Sequence, residues 1–268
     1  MIEKTQLITV QRFYETKSAA VKILKEKNAD QKPQKLSTKA SVMKTVIFDM
    51  DGTLIDTRVD ITISVNYVRR HRHGLPPLSE EQVVDYINRD ERNLPLLFYG
   101  TETPDPADRE LFRRHYLQQC TRHLRLFPGI APLLEGLEAR KVAMGVATNA
   151  STLFARKMLG HLGIDRYFSV IAGADTTGRP KPDPAIIYAV LEGVGPEASG
   201  AKAWLLGDSE KDMAAAHNAG IPALYAAWGY ARAREADAIL QRPEELLEIV
   251  EADGATGKDG FKKETRWI

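Results

Sequence analysis

Residues 46–57 read VIFDMDGTLIDT, an apolar run that breaks into two aspartates spaced two apart. On an extended chain, residues two apart point the same way, so Asp49 and Asp51 can converge on one point. Buried carboxylates repel one another unless one holds a proton or a cation lies between them. A hard divalent ion with oxygen ligands, most naturally Mg²⁺, resolves that conflict. Gly52 permits a tight turn at this point, and Thr53 brings a hydroxyl and an amide close by.

Three later stretches carry matching chemistry. ATNAS (147–151) offers the Thr148 hydroxyl and the Asn149 amide. GRPKPDP (178–184) fixes Lys181 between two prolines. LLGDSEKDM (205–213) supplies Asp208 and, one helical turn later on the same face, Asp212. Asp212 also stands three residues after Ser209, the spacing of a capping box. Gathered at one place, the carboxylates would hold a metal, the lysine and hydroxyl would hold an anion, and an aspartate could attack it. That is the equipment of phosphoryl transfer, in which positioning and charge neutralisation supply most of the catalysis.

The elements around these stretches bring them together. Short apolar runs at 45–49, 142–148, 168–173, 203–208 and 222–227 read as buried strands. Amphipathic segments at 131–141, 151–163, 184–195 and 209–220 read as helices, the last opening on Ser209 and closing on Gly220. Strands alternating with helices predict an α/β fold with a parallel sheet covered on both faces. Ligands of such sheets bind beyond the carboxyl ends of the strands, where each of the four stretches falls. The first two strands are separated by far more chain than a crossover needs. Much of it is amphipathic, which predicts a small helical domain over 60–124, tethered by IDTRV and LRLFPG, inserted after the first strand.

Composition bounds the rest. The net charge of +1 gives no global pull toward nucleic acid or an acidic membrane surface. Cys120 is the one cysteine, which excludes an internal disulfide and a cysteine-rich zinc site and fits the cytoplasm. No apolar run approaches the roughly 20 residues of a membrane-spanning helix, and no secretory h-region opens the chain. Residues 1–42 carry nine Lys/Arg against four Asp/Glu and end in a polar run, so they read as a flexible N-terminal extension. The Gly- and Lys-rich stretch 252–268 reads as a C-terminal tail, leaving 43–59 and 125–251 as the core.

DMDGTLIDT, ATNAS, RPKPDP and LLGDSEKDM, in that order, resemble the four motifs of the haloacid dehalogenase-like hydrolase superfamily. The resemblance spans residues 43 to about 250 and implies a Rossmann-like core with a helical cap after the first strand. It also implies roles: Asp49 as nucleophile forming an aspartyl-phosphate, and Asp51 as acid and then base. Thr148, Asn149 and Lys181 would hold the phosphate. Mg²⁺ would sit on Asp49, the backbone carbonyl of Asp51, Asp208 and Asp212.

LFPGIAPLLEGL and WGYA look most like the phosphoglycolate phosphatase group. The cap departs from that group at INRDERN (87–93), where a glycine-rich turn is usual, which points toward another small phosphorylated metabolite. Arg89 and Arg92 in this stretch are candidates to grip an anionic part of the substrate. Residues 58–126 hold eleven arginines and no lysine, so a phosphonoacetaldehyde hydrolase, which needs a cap lysine, is excluded. A β-phosphoglucomutase-like mutase, with His71 or His73 as its cap histidine, stays open, as does a non-enzymatic phospho-accepting domain. The enzyme is expected to act as a monomer or homodimer.

Overall fold

The carboxyl edge of a six-stranded parallel sheet is where the acidic stretches meet. The structure, a computed structural model, describes residues 44–89, 93–195 and 202–255. The expected N-terminal extension, Arg92 and most of the expected tail lie outside the described residues. Strand β1 (Lys44–Phe48) is central; β4 (Ala143–Ala147) and β6 (Lys202–Gly207) pair with it on either side. β5 (Val170–Ala172) lies beyond β4, while β7 (Ala223–Ala226) and β8 (Ala238–Leu240) lie beyond β6. The order is therefore β5-β4-β1-β6-β7-β8, which reverses direction about β1 and opens a crevice above it. This is a Rossmann-like α/β core.

The strands are apolar on both faces because helices cover both. Val46 and Phe48 of β1 join Trp204 and Leu206 of β6 in one cluster, under α5 (Ile130–Ala139), α6 (Thr152–His161) and α10 (Glu245–Ala255). Ile47 and Leu205, between them in sequence, point the other way onto α8 (Ala185–Val194) and α9 (Glu210–Ala219). A short helix, α7 (Ala174–Thr177), follows β5. The five expected strands and four expected helices all form, with ends within two residues of those read from sequence. The sequence reading did not name β8 or α10, and α10 continues to Ala255, into the stretch read as tail.

A helical segment interrupts this pattern after β2 (Ile55–Asp56). It comprises α1 (Arg58–Val68), a π-helical turn (Arg69–His73), α2 (Glu80–Asn88), α3 (Leu94–Tyr99) and α4 (Pro106–Gln119). Val65, Val83 and Phe98 form its own small core. Buried Arg69 braces it by donating to the carbonyls of Pro76 (2.8 Å) and Phe98. The chain returns through β3 (Arg125–Leu126), which pairs antiparallel with β2, Ile55 opposite Leu126 and Asp56 opposite Arg125. α4 leans on the sheet domain: the Tyr116 ring meets Phe154 of α6 edge-on at 5.0 Å. No described helix is long and apolar enough to cross a membrane.

Candidate active site

Asp49 directly follows β1, and its amide donates to the Leu206 carbonyl of β6 at 2.8 Å, which holds its backbone in line with the sheet. Gly52 then turns the chain at φ +85°, a region that favours glycine. A side chain there would also collide with Asp208, whose Oδ2 lies 2.2 Å from where a Cβ would stand. Gly229 is equally confined, its would-be Cβ 2.2 Å from the Asp208 Cβ. Asp208 is thus packed against bare backbone, and its Oδ2 accepts from the amides of Tyr230 (2.7 Å) and Ala231 (3.3 Å).

Lys181 is the hub. Its Nζ lies 2.5 Å from Asp49 Oδ1 and 2.5 Å from Asp212 Oδ1, and donates to the Ala147 carbonyl at 2.7 Å. Burial works against its charge, but Asp212 and Asp49 outweigh burial and drive its pKa upward. Asn149 positions this lysine: its Nδ2 donates to the Lys181 carbonyl (3.1 Å) and its Oδ1 accepts from the Lys181 amide (2.8 Å). Its side chain is therefore engaged with backbone. Asp212 serves two roles at once. Its Oδ2 accepts from the Ser209 amide (3.1 Å) and hydroxyl (2.5 Å), closing the capping box of α9, while Oδ1 meets Lys181.

Asp51 faces elsewhere. Its Oδ1 accepts from the Thr57 hydroxyl at 2.7 Å and its Oδ2 from Thr148 at 3.5 Å, so both oxygens are engaged by hydroxyls rather than by Lys181, and the residue lines the cavity. Burial raises its pKa, and the Thr57 bond pulls back only in part. Asp49 is pushed well above the carboxylate range by burial, with Asp212, Asp208 and Asp51 adding to the push against Lys181. Asp208 is raised to about 7 by burial and by Asp212. These upward shifts mark a cluster with more negative charge than its single lysine balances.

Buried Asp49, Asp208 and Asp212 bring ligand oxygens within 4.8 Å of one another. Hard oxygen donors, excess negative charge and raised pKa values all fit a divalent cation. A cavity of about 580 Å³ opens over the cluster. Asp49, Asp51, Thr148, Asn149, Lys181, Asp208 and Asp212 all line it, so the structure brings together every core residue picked from sequence. Arg89 is placed apart. Its guanidinium pairs with Asp85 at 2.6 Å and lies over the Tyr86 ring, and it does not line the cavity. His71 stacks on Tyr67 and His73 pairs with Asp108 at 2.9 Å; neither lines the cavity.

Comparison with known proteins decides the family. Residues 46–226 match the haloacid dehalogenase-like hydrolase model. The chain belongs to that family. Among curated relatives of this hydrolase, a phosphoglycolate phosphatase of Aquifex aeolicus is 31% identical, covering 78% of this chain and 97% of its own length. An N-acetylmuramic acid 6-phosphate phosphatase of Pseudomonas aeruginosa is 30% identical, covering 78% and 95%. The crystal structure of a predicted phosphoglycolate phosphatase from Haemophilus somnus superposes with a TM-score of 0.66 at 26% identity, covering 79% of this chain and 99% of that one. These relatives place the hydrolase among the phosphatases of its family.

Sequence reasoning missed several groups that shape the site. Thr57 stood in a segment read as a tether, although a hydroxyl six residues past Asp51 was a usable signal. Tyr230 links distant segments: its hydroxyl bonds Asp56 (2.8 Å) and accepts from the Thr57 amide (2.6 Å). Lys211, on the first turn of α9, lines the cavity and donates to the Ile87 carbonyl of α2 at 2.9 Å. Nothing in its sequence context marks it out.

Proposed function

We propose that the hydrolase is a Mg²⁺-dependent phosphatase that cleaves a small phosphate monoester in two steps. Asp49 attacks phosphorus, forming an aspartyl-phosphate, while protonated Asp51 gives its proton to the leaving alkoxide. Asp51 then takes a proton from the water that attacks the aspartyl-phosphate, releasing phosphate and free Asp49. Lys181 and Thr148 hold phosphoryl oxygens, with Asn149 setting the backbone that carries Lys181. Asp49, Asp208, Asp212 and the carbonyl of Asp51 would hold Mg²⁺, which supplies charge neutralisation for the phosphate when bound.

The observation that carries this reading is the division of labour between two aspartates two residues apart. Asp49 is fixed on Lys181, whereas Asp51, with its raised pKa, is held by two hydroxyls and lines the cavity. The helical segment over 60–124 is the cap that closes on substrate, and 43–59 with 125–251 is the catalytic core. The buried free Cys120 fits a cytoplasmic protein.

The test is phosphate release from a panel of monoesters, with and without Mg²⁺. The panel includes phosphoglycolate and N-acetylmuramic acid 6-phosphate, the compounds for which relatives are named. Mg²⁺-dependent release from at least one monoester is expected; a panel that stays inert, or release indifferent to chelator, overturns the proposal. The mutase alternative predicts that phosphate moves between positions on a sugar phosphate without net release.

A further inference from the structure

The cavity extends well past the phosphate end, and its far wall differs in kind. Ile61 and Val65 of α1, Leu94 and Phe98 of α3, Phe112 of α4 and Phe154 of α6 form it. The charged groups beside them have partners already. Asp108 is held by Arg72 at 2.5 Å and by His73 at 2.9 Å, and Asp105 by Arg72 at 2.5 Å. Lys211 donates to the Ile87 carbonyl. Arg109 lines the cavity too, but it is an exposed residue.

We infer that the alcohol portion of the substrate is a bulky apolar group, aromatic or branched aliphatic, seated against this wall. The inference rests on the phosphatase reading for the phosphate end. A cavity of about 580 Å³ is in the range that buries a ligand of many heavy atoms. A two-carbon acid such as phosphoglycolate would occupy the phosphate end, leave the aromatic wall against water, and find for its carboxylate only the neutral donors Asn88, Tyr99 and Ser151 and the exposed Arg109. An apolar body excludes that water and leaves the paired charges undisturbed.

The test uses phosphate esters that differ in the body and not in the bond broken. Ethyl phosphate and 2-phenylethyl phosphate both release a primary alkoxide, so Asp49 and Asp51 do the same work on each. With Mg²⁺ present, kcat/KM is expected to be about 10- to 100-fold higher for 2-phenylethyl phosphate, and higher than for phosphoglycolate. In Phe112→Ala and, separately, Phe154→Ala, the ratio between the two esters should fall to within about threefold. Two variants from different helices guard against one that fails to fold, which thermal unfolding would reveal. A ratio of one or less overturns the inference, as does a preference for phosphoglycolate that Arg109→Ala abolishes. Binding to Asp49→Asn by calorimetry separates this inference from the reading it rests on. Tighter binding of 2-phenylethyl phosphate than of ethyl phosphate supports the apolar wall even where no ester is turned over, and equal binding overturns it.

Discussion

At the core end of the cavity, charged side chains are held by directional bonds: Lys181 to Asp49 and Asp212, Asp208 to two backbone amides, Asp51 to two hydroxyls. At the cap end the charges have been drawn off into pairs of their own, Arg72 with Asp105 and Asp108, and what faces the cavity is mostly hydrocarbon. The first end fixes atoms by directional bonds, as bond-making to phosphorus requires. The second fixes only shape, which discriminates between bodies by burial. Because the two ends share few partners, changes at one should scarcely couple to the other.

Asp49→Asn should give the largest break between them. It keeps the shape and removes the attacking charge, so turnover should fall by at least about 10³-fold for every ester, with circular dichroism unchanged. Retained activity would refute the mechanism. Asp51→Asn sharpens the point. Turnover of alkyl phosphates should drop by about 10²–10⁴-fold, whereas phosphorylation of Asp49 by p-nitrophenyl phosphate, whose leaving group needs no proton, should suffer far less. A stopped-flow burst measures the difference, and equal losses would remove Asp51 from the acid role.

Lys181→Met leaves the buried carboxylates with no cation. The expected loss is about 3–5 kcal/mol of stability in urea unfolding without Mg²⁺, against a near-silent cap mutation. A smaller effect follows from protonation. The folded pKa of Asp208 is about 7 against 3.8 ordinarily, so between these values the folded state holds a proton that the unfolded state has lost. That contribution to stability is full below about pH 4 and is lost as pH rises through 7. The metal-free protein should therefore lose this increment as pH rises from about 4 to about 7, and Mg²⁺ should raise Tm more at pH 8 than at pH 5. At pH 8 the gain should be about 5–10 °C at a hundredfold excess over Kd. A Tm indifferent to Mg²⁺ at both values would take the metal from this cluster. The smallest effect belongs to Arg89→Ala. Its ion pair with Asp85 is exposed, so stability should change by less than about 1 kcal/mol, and kcat/KM by less than about twofold for every ester.

The core end was the more legible from sequence. Asp49, Thr148 and Asp208 each sit directly after a strand, and strands buried on both faces announce themselves as unbroken apolar runs. β8 escaped because Ala238–Leu240 is too short to show a period and is flanked by polar residues. Asp212 was ambiguous, cap or active site, because one carboxylate has two oxygens and this one uses them separately. The cap end was nearly opaque. Arg89 looked available in a turn, yet Asp85 four residues earlier was already placed to take it on the helix face. The wall residues come from four helices, and apolar residues at helical spacing do not reveal whether they face a core or a cavity. Phe98 does both, closing the small core of the helical segment while lining the cavity.

The pairing of β2 with β3 reaches beyond catalysis. Ile55 and Leu126 lie opposite one another, so the helical segment departs and returns at a single spot on the sheet domain. To the rest of the fold it is a closed loop, whose length scarcely alters the entropy of joining its ends. Such a cassette can be trimmed, enlarged or exchanged wholesale without tugging on β1. On the roles proposed above, a lineage carrying it would be free to acquire new substrates by swapping one part, while the chemistry proposed for Asp49 is inherited intact.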